Sequence, residues 1–303
     1  MKLKLSSPQD CIGDFTYNFF WQHGGAKLTP TAAIPSQCGT GYSYEDVVEA
    51  LKNGEDVHIE GDVGKRLGSS LGVDLVYFGG SGNEQPGVGS IIVEGNAGAY
   101  LGMSMLSGAI YVKGVVKEPI GNVVEVQSDL PCYKKFVAIT WLVHHPAEEG
   151  ERVKEPNELK EGELVLNDGI LRSTLAARCR KEMSVRVHGD VGISVGILMR
   201  KGLVVVDGDA GMNAAALLNG GSVVIAGNAA EFVGVEMRKG LVLVGGKCRG
   251  FVGAKMTGGK LICRRTAPVP PVKERALEKA DLALLAAFGI SGMLTLNYRR
   301  YER

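Results

Sequence analysis

Long apolar runs are missing from this 303-residue chain. No stretch approaches the roughly 20 apolar residues that a membrane-spanning helix needs. The longest candidate, 282–296, is interrupted by Gly289, Ser291 and Gly292. The opening MKLKLSSPQD lacks the apolar segment of a signal peptide. A surplus of one charge is missing too. Thirty-four Lys and Arg face 33 Asp and Glu, a net +1, which excludes the basic footprint of a nucleic-acid binder or a protein held on anionic lipid. Aromatic residues make up only 6%, so the core has to come from Val, Leu, Ile and Ala. Cysteines are few and scattered: Cys11, Cys38, Cys132, Cys179, Cys248 and Cys263 form no CxxC or CxxH pair. That spacing argues against a zinc knuckle or iron–sulfur cluster and fits a reducing cytoplasm.

Glycine is what the chain has in excess: 43 residues, about twice the usual share of roughly 7%. Gly189, Gly208, Gly227 and Gly246 stand 19 residues apart, and Gly202, Gly221, Gly240 and Gly259 keep that interval thirteen positions on. Gly196, Ala215, Gly234 and Gly253 form a third column; Met199, Leu218, Met237 and Met256 form a fourth. The stretch VEGNAGAYLGMSMLSGAIYVKG, from Val93 to Gly114, is the same unit. Gly61, Gly68, Leu71 and Gly89 make an earlier copy stretched by 15 residues, and a weaker copy runs from Gly114 through Gly121 to Val124. Two blocks result, 57–126 and 185–264.

A period near 20, with short valine-rich segments and glycine corners that supply bends and positive φ values, predicts a mainly β protein. The expected architecture is a parallel β-helix, a solenoid of about 19-residue coils in two blocks with flanking helices. One strand per coil is expected, at 203–206, 222–225, 241–244 and 260–263. Val204, Val223, Val242 and Leu261 form one inward column, and Val206, Ile225, Val244 and Cys263 another. The residue between them faces outward, yet in successive coils it is Ile92, Tyr111, Val205, Val224, Leu243 and Ile262. An outward apolar stripe implies a cover, from this chain's own helices or other block, or from a partner subunit. Tyr111, an aromatic on that face, is a candidate contact.

Flanking helices are predicted over Ser43–Lys52, with Ser43 and Asp46 as a partial capping box, over Leu171–Lys181, and over Val272–Phe288. The first two would cap open solenoid ends. The charged segment HHPAEEGERVKEPNELKEGE (144–163) carries Pro146 and Pro156 and reads as a boundary. The expected division is 1–146, a lead-in and the first block; 147–163, a linker; and 164–303, a lead-in helix, the second block and a C-terminal helix. The closing LNYRRYER suits docking on a surface.

Chemistry-bearing motifs are weak. Gly68-Ser69-Ser70-Leu71-Gly72 and Gly192-Ile193-Ser194-Val195-Gly196 match GxSxG, the nucleophile elbow of serine hydrolases. Position 194 recurs as Asn213, Phe232 and Phe251, so its glycines belong to the solenoid. The 79–89 loop, GGSGNEQPGVG, which ends the insertion at 72–88 on the column glycine Gly89, lacks the lysine and helix of a phosphate cradle and is expected at the surface. His144 and His145 have no metal-ligand pattern beside them, and His58 and His188 sit on strand positions suited to capping or partner contact. No residue is assigned a catalytic, cofactor-binding or metal role.

At its glycine columns the sequence resembles the GXGXG domain family. Members include the carboxy-terminal domain of the glutamate synthase large subunit and the glycine-repeat subunit of formylmethanofuran dehydrogenase. The units at 93–114 and 225–246, the latter IAGNAAEFVGVEMRKGLVLVGG, are most similar to the formylmethanofuran dehydrogenase subunit. The segment 166–196 is similar to the start of the glutamate synthase domain. The resemblance implies a right-handed parallel β-helix that braces catalytic modules supplied by other chains and binds no cofactor of its own. It implies a structural subunit of a multisubunit oxidoreductase in the cytoplasm. The alternatives are a glutamate synthase-like subunit bracing separate amidotransferase and FMN/Fe–S chains, and an esterase-like serine hydrolase. Expected partners are other subunits of an oxidoreductase or amidotransferase complex, or a second copy of the chain, with no nucleic acid and no membrane.

Overall fold

A computed structural model of the chain describes residues 1–17, 29–145 and 153–303. The chain divides into two compact units, Met1–Lys154 and Glu155–Arg303. The protein is mainly β, and its described residues complete about nine solenoid turns spaced about 19 residues apart.

In the first unit, β1 (Lys2–Lys4), β2 (Val57–Glu60), β3 (Ile91–Val93) and β4 (Ala109–Val112) run parallel. Val57 pairs with Ile91 and Ile91 with Ile110, so the insertion lengthens one coil without disturbing the ladder. The solenoid begins earlier than the glycines indicate, because residues 2–16 already form a coil. The Gly64 N–H donates to the Gln9 carbonyl, and Cys11 and Lys65 are joined the same way, each at 2.9 Å. That coil contains a single glycine, Gly13, so a search for glycine columns passes over it. Helix α1 (Tyr44–Lys52) forms as predicted. Its capping box is complete: the Asp46 N–H donates to Ser43 Oγ at 3.1 Å, and the Ser43 N–H donates to Asp46 Oδ2 at 2.8 Å.

The weak fourth copy is a strand, β5 (Val123–Val126), but it does not lie beside β4. Strand β6 (Lys134–Ala138) runs antiparallel between them, pairing Ile110 with Phe136 and Val124 with Val137. A reversed strand stops the parallel ladder from growing and leaves no regular coil face to stack on. A short helix, α2 (Ile139–His144), follows.

In the second unit, β7 (Glu158–Lys160) and β8 (Glu163–Leu166) make an antiparallel pair. Then β9 (Ser184–Val187), β10 (Leu203–Val206), β11 (Asn219–Ile225), β12 (Lys239–Val244) and β13 (Lys260–Arg264) continue in parallel from β8. Val185, Val204, Val223, Val242 and Leu261 sit in register, all buried. The helix predicted over 171–181 is absent. That segment is another coil, its amides bonded to the next one: Thr174 N–H to the Ile193 carbonyl at 2.7 Å and Arg178 N–H to Ile197 at 2.9 Å. Thr174, Ala176 and Arg178 have φ of 55°, 56° and 59°, which no α-helix tolerates.

The predicted C-terminal helix is shorter than 272–288. Helix α3 spans Lys279–Ala287, while β14 (Lys273–Arg275) pairs antiparallel with β15 (Tyr298–Glu302), which pairs antiparallel with β13. Val272 is used otherwise. It is buried under Gly253, as Val223 lies under Gly196 and Leu261 under Gly234, and so plugs the last coil. LNYRRYER is thus mostly β15, closing the ladder.

Five positions per coil point inward. In one coil they are Val204, Val206, Ala210, Ala214 and Leu218; in the next, Val223, Ile225, Ala229, Val233 and Met237, all buried. Each larger side chain contributes on the order of 1.5–3 kcal/mol on burial. The glycines that surround this core do two different jobs. Residues 232, 234 and 236 alternate into the left-handed region at φ 66°, 67° and 55°. A Cβ at the middle one, Gly234, would lie 3.1 Å from Leu261 Cδ1 of the next coil, and the largest residue found at that left-handed place in neighbouring coils is alanine, Ala176 and Ala215. Gly227 is not left-handed at all. Its missing Cβ leaves room for the preceding coil, whose Gly208 oxygen would lie 2.6 Å away. Asp209 Oδ1 crosses the same corner to accept the Asn228 N–H at 2.6 Å, and Asn228 Oδ1 accepts the Lys247 N–H at 3.0 Å. Asp190, Asp209 and Asn228, one per coil at this corner, therefore stitch coil to coil.

Candidate functional site

The outward stripe is covered from within the chain. In the second unit Val205, Val224, Leu243 and Ile262 pack with Leu285 of α3 and Tyr298 of β15, all buried. Charged pairs pin this cover at its edge. Lys260 Nζ meets Asp281 Oδ1 at 2.7 Å, and Arg300 meets Glu278 at 2.5 Å. Burial pushes the Asp281 carboxyl up, but the Lys260 hydrogen bond and nearby cations outweigh that and hold it below the usual carboxylate range. In the first unit Ile92 and Tyr111 are buried as well. Lys135 of β6 lies opposite Tyr111 with its ammonium 5.6 Å from the ring centroid, and the Tyr111 hydroxyl donates to Asp129 at 2.9 Å. Tyr111 is therefore an internal contact.

The two GxSxG serines are solenoid positions. Ser70 and Ser194 are left-handed and mostly buried, and position 194 continues as left-handed Asn213, Phe232 and Phe251. Among the described residues, no hydrogen bond joins either hydroxyl to a histidine. The glycine loop at 79–89 carries its own anion: Asp74 Oδ2 accepts the Ser81 N–H at 2.6 Å. That bond, more than any other influence, holds the Asp74 carboxyl below its ordinary range. Asp74 thus takes a backbone amide that a phosphate cradle would offer. Before it, Val76, Tyr77 and Phe78 form a 3-10 turn that projects into solvent, with Tyr77 89% and Phe78 52% exposed.

The four histidines among the described residues fall in three settings. His144 is buried and bonded to Glu84 on the insertion, a partner 60 residues away that local spacing could not reveal. His145 lies against Trp141, the ring planes tilted by 33° and their centroids 3.9 Å apart. His188 is exposed and bonded to Asp207 at 2.6 Å, and His58 lies exposed on the outward face of β2. Among the described residues, no group of three or more His, Cys, Asp or Glu is placed to hold a metal. No helix among them is long and apolar enough to cross a membrane.

Sequence reasoning missed a pair of adjoining clefts in the second unit. One, of about 320 Å³, lies between the sheet face at Val224 and Leu243 and the segment bearing Phe288, Ile290 and Leu294. The other, of about 400 Å³, is lined by Lys247, Cys248, Arg264, Arg265, Thr266 and Asn297. Arg264 and Asn297 belong to both. Four separate chain segments build them, so no local motif announces them. Beside the first cleft, Met293, Leu294 and Leu296 of a 3-10 turn are exposed, Met293 by 82%.

No family model matches the chain. A protein of Methanothermobacter thermautotrophicus, described only as an uncharacterized protein, is 46% identical over 207 residues, 68% of this chain. The matched region spans 65% of that relative's length. Among solved structures, a chain of the formyltransferase/hydrolase complex FhcABCD from Methylorubrum extorquens, determined with methylofuran, is 17% identical. Coverage is 98% of this chain and 91% of that one, with a TM-score of 0.29. A score that low supports no inference about function.

Proposed function

We propose that the chain is a structural β-helix subunit of a multisubunit oxidoreductase, similar to the glycine-repeat subunit of formylmethanofuran dehydrogenase. The chemistry and its cofactors would reside in other subunits, in the cytoplasm. The family resemblance of the units at 93–114 and 225–246 motivates this reading. The observation that carries it is the Val76-Tyr77-Phe78 turn. Val76, Tyr77 and Phe78, exposed on a loop pinned on Asp74 with Phe78 edge-on to Tyr17, form an apolar patch that is costly in a protein that works alone and typical of an interface centre. The coil interior, filled by stacked side chains, serves a scaffold well and leaves reactions to neighbours. The glutamate synthase alternative draws on a helix leading into the second block; with 171–181 itself a coil, it loses that support.

Affinity purification of the tagged chain from its native source tests the proposal. Other subunits should come with the wild-type chain and be depleted with a Tyr77→Ser/Phe78→Ser variant that melts at the wild-type temperature. A wild-type chain that purifies alone would overturn the scaffold role.

A further inference from the structure

The paired clefts of the second unit have opposite characters and meet at one side chain. The first is walled by Val224 and Leu243 on the sheet and by Phe288, Ile290 and Leu294 opposite. The second presents Lys247, Arg264 and Arg265 and no carboxylate. Arg265 is paired with Glu274 at 3.2 Å. Arg264 and Lys247 form no ion pair among the described residues. Arg264 is instead fixed by neutral contacts. Its Nε donates to the Gly245 carbonyl at 3.2 Å, and its guanidinium carbon lies 6.0 Å from the Tyr298 ring centroid. The Tyr298 hydroxyl donates to that same carbonyl. This arrangement holds the guanidinium at the boundary between the clefts and leaves both terminal nitrogens to donate. A guanidinium oriented before binding loses little freedom when it takes a bidentate acid group.

We infer that the two clefts form one binding site for a small amphiphilic anion. Its carboxylate or phosphate head would sit on Arg264, Lys247 and Asn297, and its apolar body between the sheet face and Phe288, Ile290 and Leu294. Both volumes fall within the range of small-molecule pockets, roughly 300–1,000 Å³. Walls on two opposite sides suit an inserted small molecule better than a flat protein partner. The covered stripe thereby gains a second role: α3 and the turn after it roof the cleft as well as sealing the sheet.

Isothermal titration of the full chain with decanoate and decyl phosphate below their micelle concentrations, and with uncharged decanol below its solubility limit, tests the site. At least one of the two anions should bind about tenfold or more tightly than decanol, as expected for a charge-assisted bidentate contact. Arg264→Gln should abolish that ratio and Lys247→Gln should reduce it. Arg265→Gln, which removes a cation already paired with Glu274, should leave it nearly unchanged. Circular dichroism melts check that each variant is folded. Decanol binding as tightly as both anions, a ratio unaltered in both Arg264→Gln and Lys247→Gln, or no binding of either anion at millimolar concentration would overturn the inference.

Discussion

Replacing Gly227 with alanine probes how the coils are held together. Its Cβ would lie 2.2 Å from Asp209 Oδ1 and 2.6 Å from the Gly208 carbonyl oxygen of the preceding coil. Ordinary contact begins near 3.4 Å, so the two coils must part by roughly 1 Å at that corner. They are joined there by the Gly227 N–H to the Gly208 oxygen at 3.0 Å and by the Asn228 N–H to Asp209 at 2.6 Å. Weakening two such bonds costs about 0.5–1.5 kcal/mol each, and overpacking adds about 1–3 kcal/mol. A loss near 3 kcal/mol would lower the melting temperature of a unit this size by roughly 6–12 °C. Gly250 is the matched control, since nothing lies within 4 Å of its Cβ and its φ is not left-handed. Gly250→Ala should change the melt by no more than a degree or two. Adding Asp209→Ala to Gly227→Ala should not restore stability, because the backbone oxygen remains in the way. Calorimetric melts decide the matter. Equal shifts for Gly227→Ala and Gly250→Ala would refute close packing as the reason for the glycine.

Other outcomes follow from particular contacts. Leu285→Ala should cost about 2–5 kcal/mol and expose the sheet face at Leu243, read as a lower urea midpoint and new binding of a hydrophobic dye. Asp168 grips the nearly buried Arg172 by two bonds, of 2.7 and 2.5 Å. Burial pushes the Asp168 carboxyl up, but Arg172 and Asn157 outweigh it and hold it below its usual range. A carboxyl depressed by folding stabilises fully above its unfolded value, about 3.9, and loses that contribution as pH falls through the folded value. Asp168→Asn should therefore destabilise by about 3 kcal/mol at pH 7, with the gap from wild type closing as urea titrations are run below pH 4. Ser70→Ala and Ser194→Ala should leave p-nitrophenyl ester turnover no different from wild type; a loss in either would revive a serine hydrolase.

What could be read before the structure, and what could not, divides along physical lines. The 19-residue columns place the two inward residues of each strand from Val204 to Cys263, because stacking in register forces identical positions to share one environment. The inward corner positions, such as Ala210 and Ala214, stay unread because small residues there carry no hydropathy signal of their own. The apolar stripe at Val224 and Leu243 signals a cover for the same reason. The coil over 171–181 escapes the columns because all three glycine positions fail at once: Ile170, Ala177 and Met183 stand 19 residues before Gly189, Gly196 and Gly202. Ala176 takes the left-handed conformation there, and nothing in LRSTLAARCRK separates that from a short helix. The reversed strand β6 is invisible because antiparallel insertion leaves no trace in a parallel repeat. Of the chemistry, the serines can be judged from their columns alone, whereas Glu84 beside His144 and Arg264 between two clefts depend on folding across long separations.

The central claim, that this solenoid serves as a subunit among others, is tested most directly by the native mass of the untagged chain. Size fractionation of an extract from its own source, followed by immunodetection, should find the chain far above its own 32.1 kDa, co-eluting with other polypeptides. Elution as a free monomer at that mass would contradict the account.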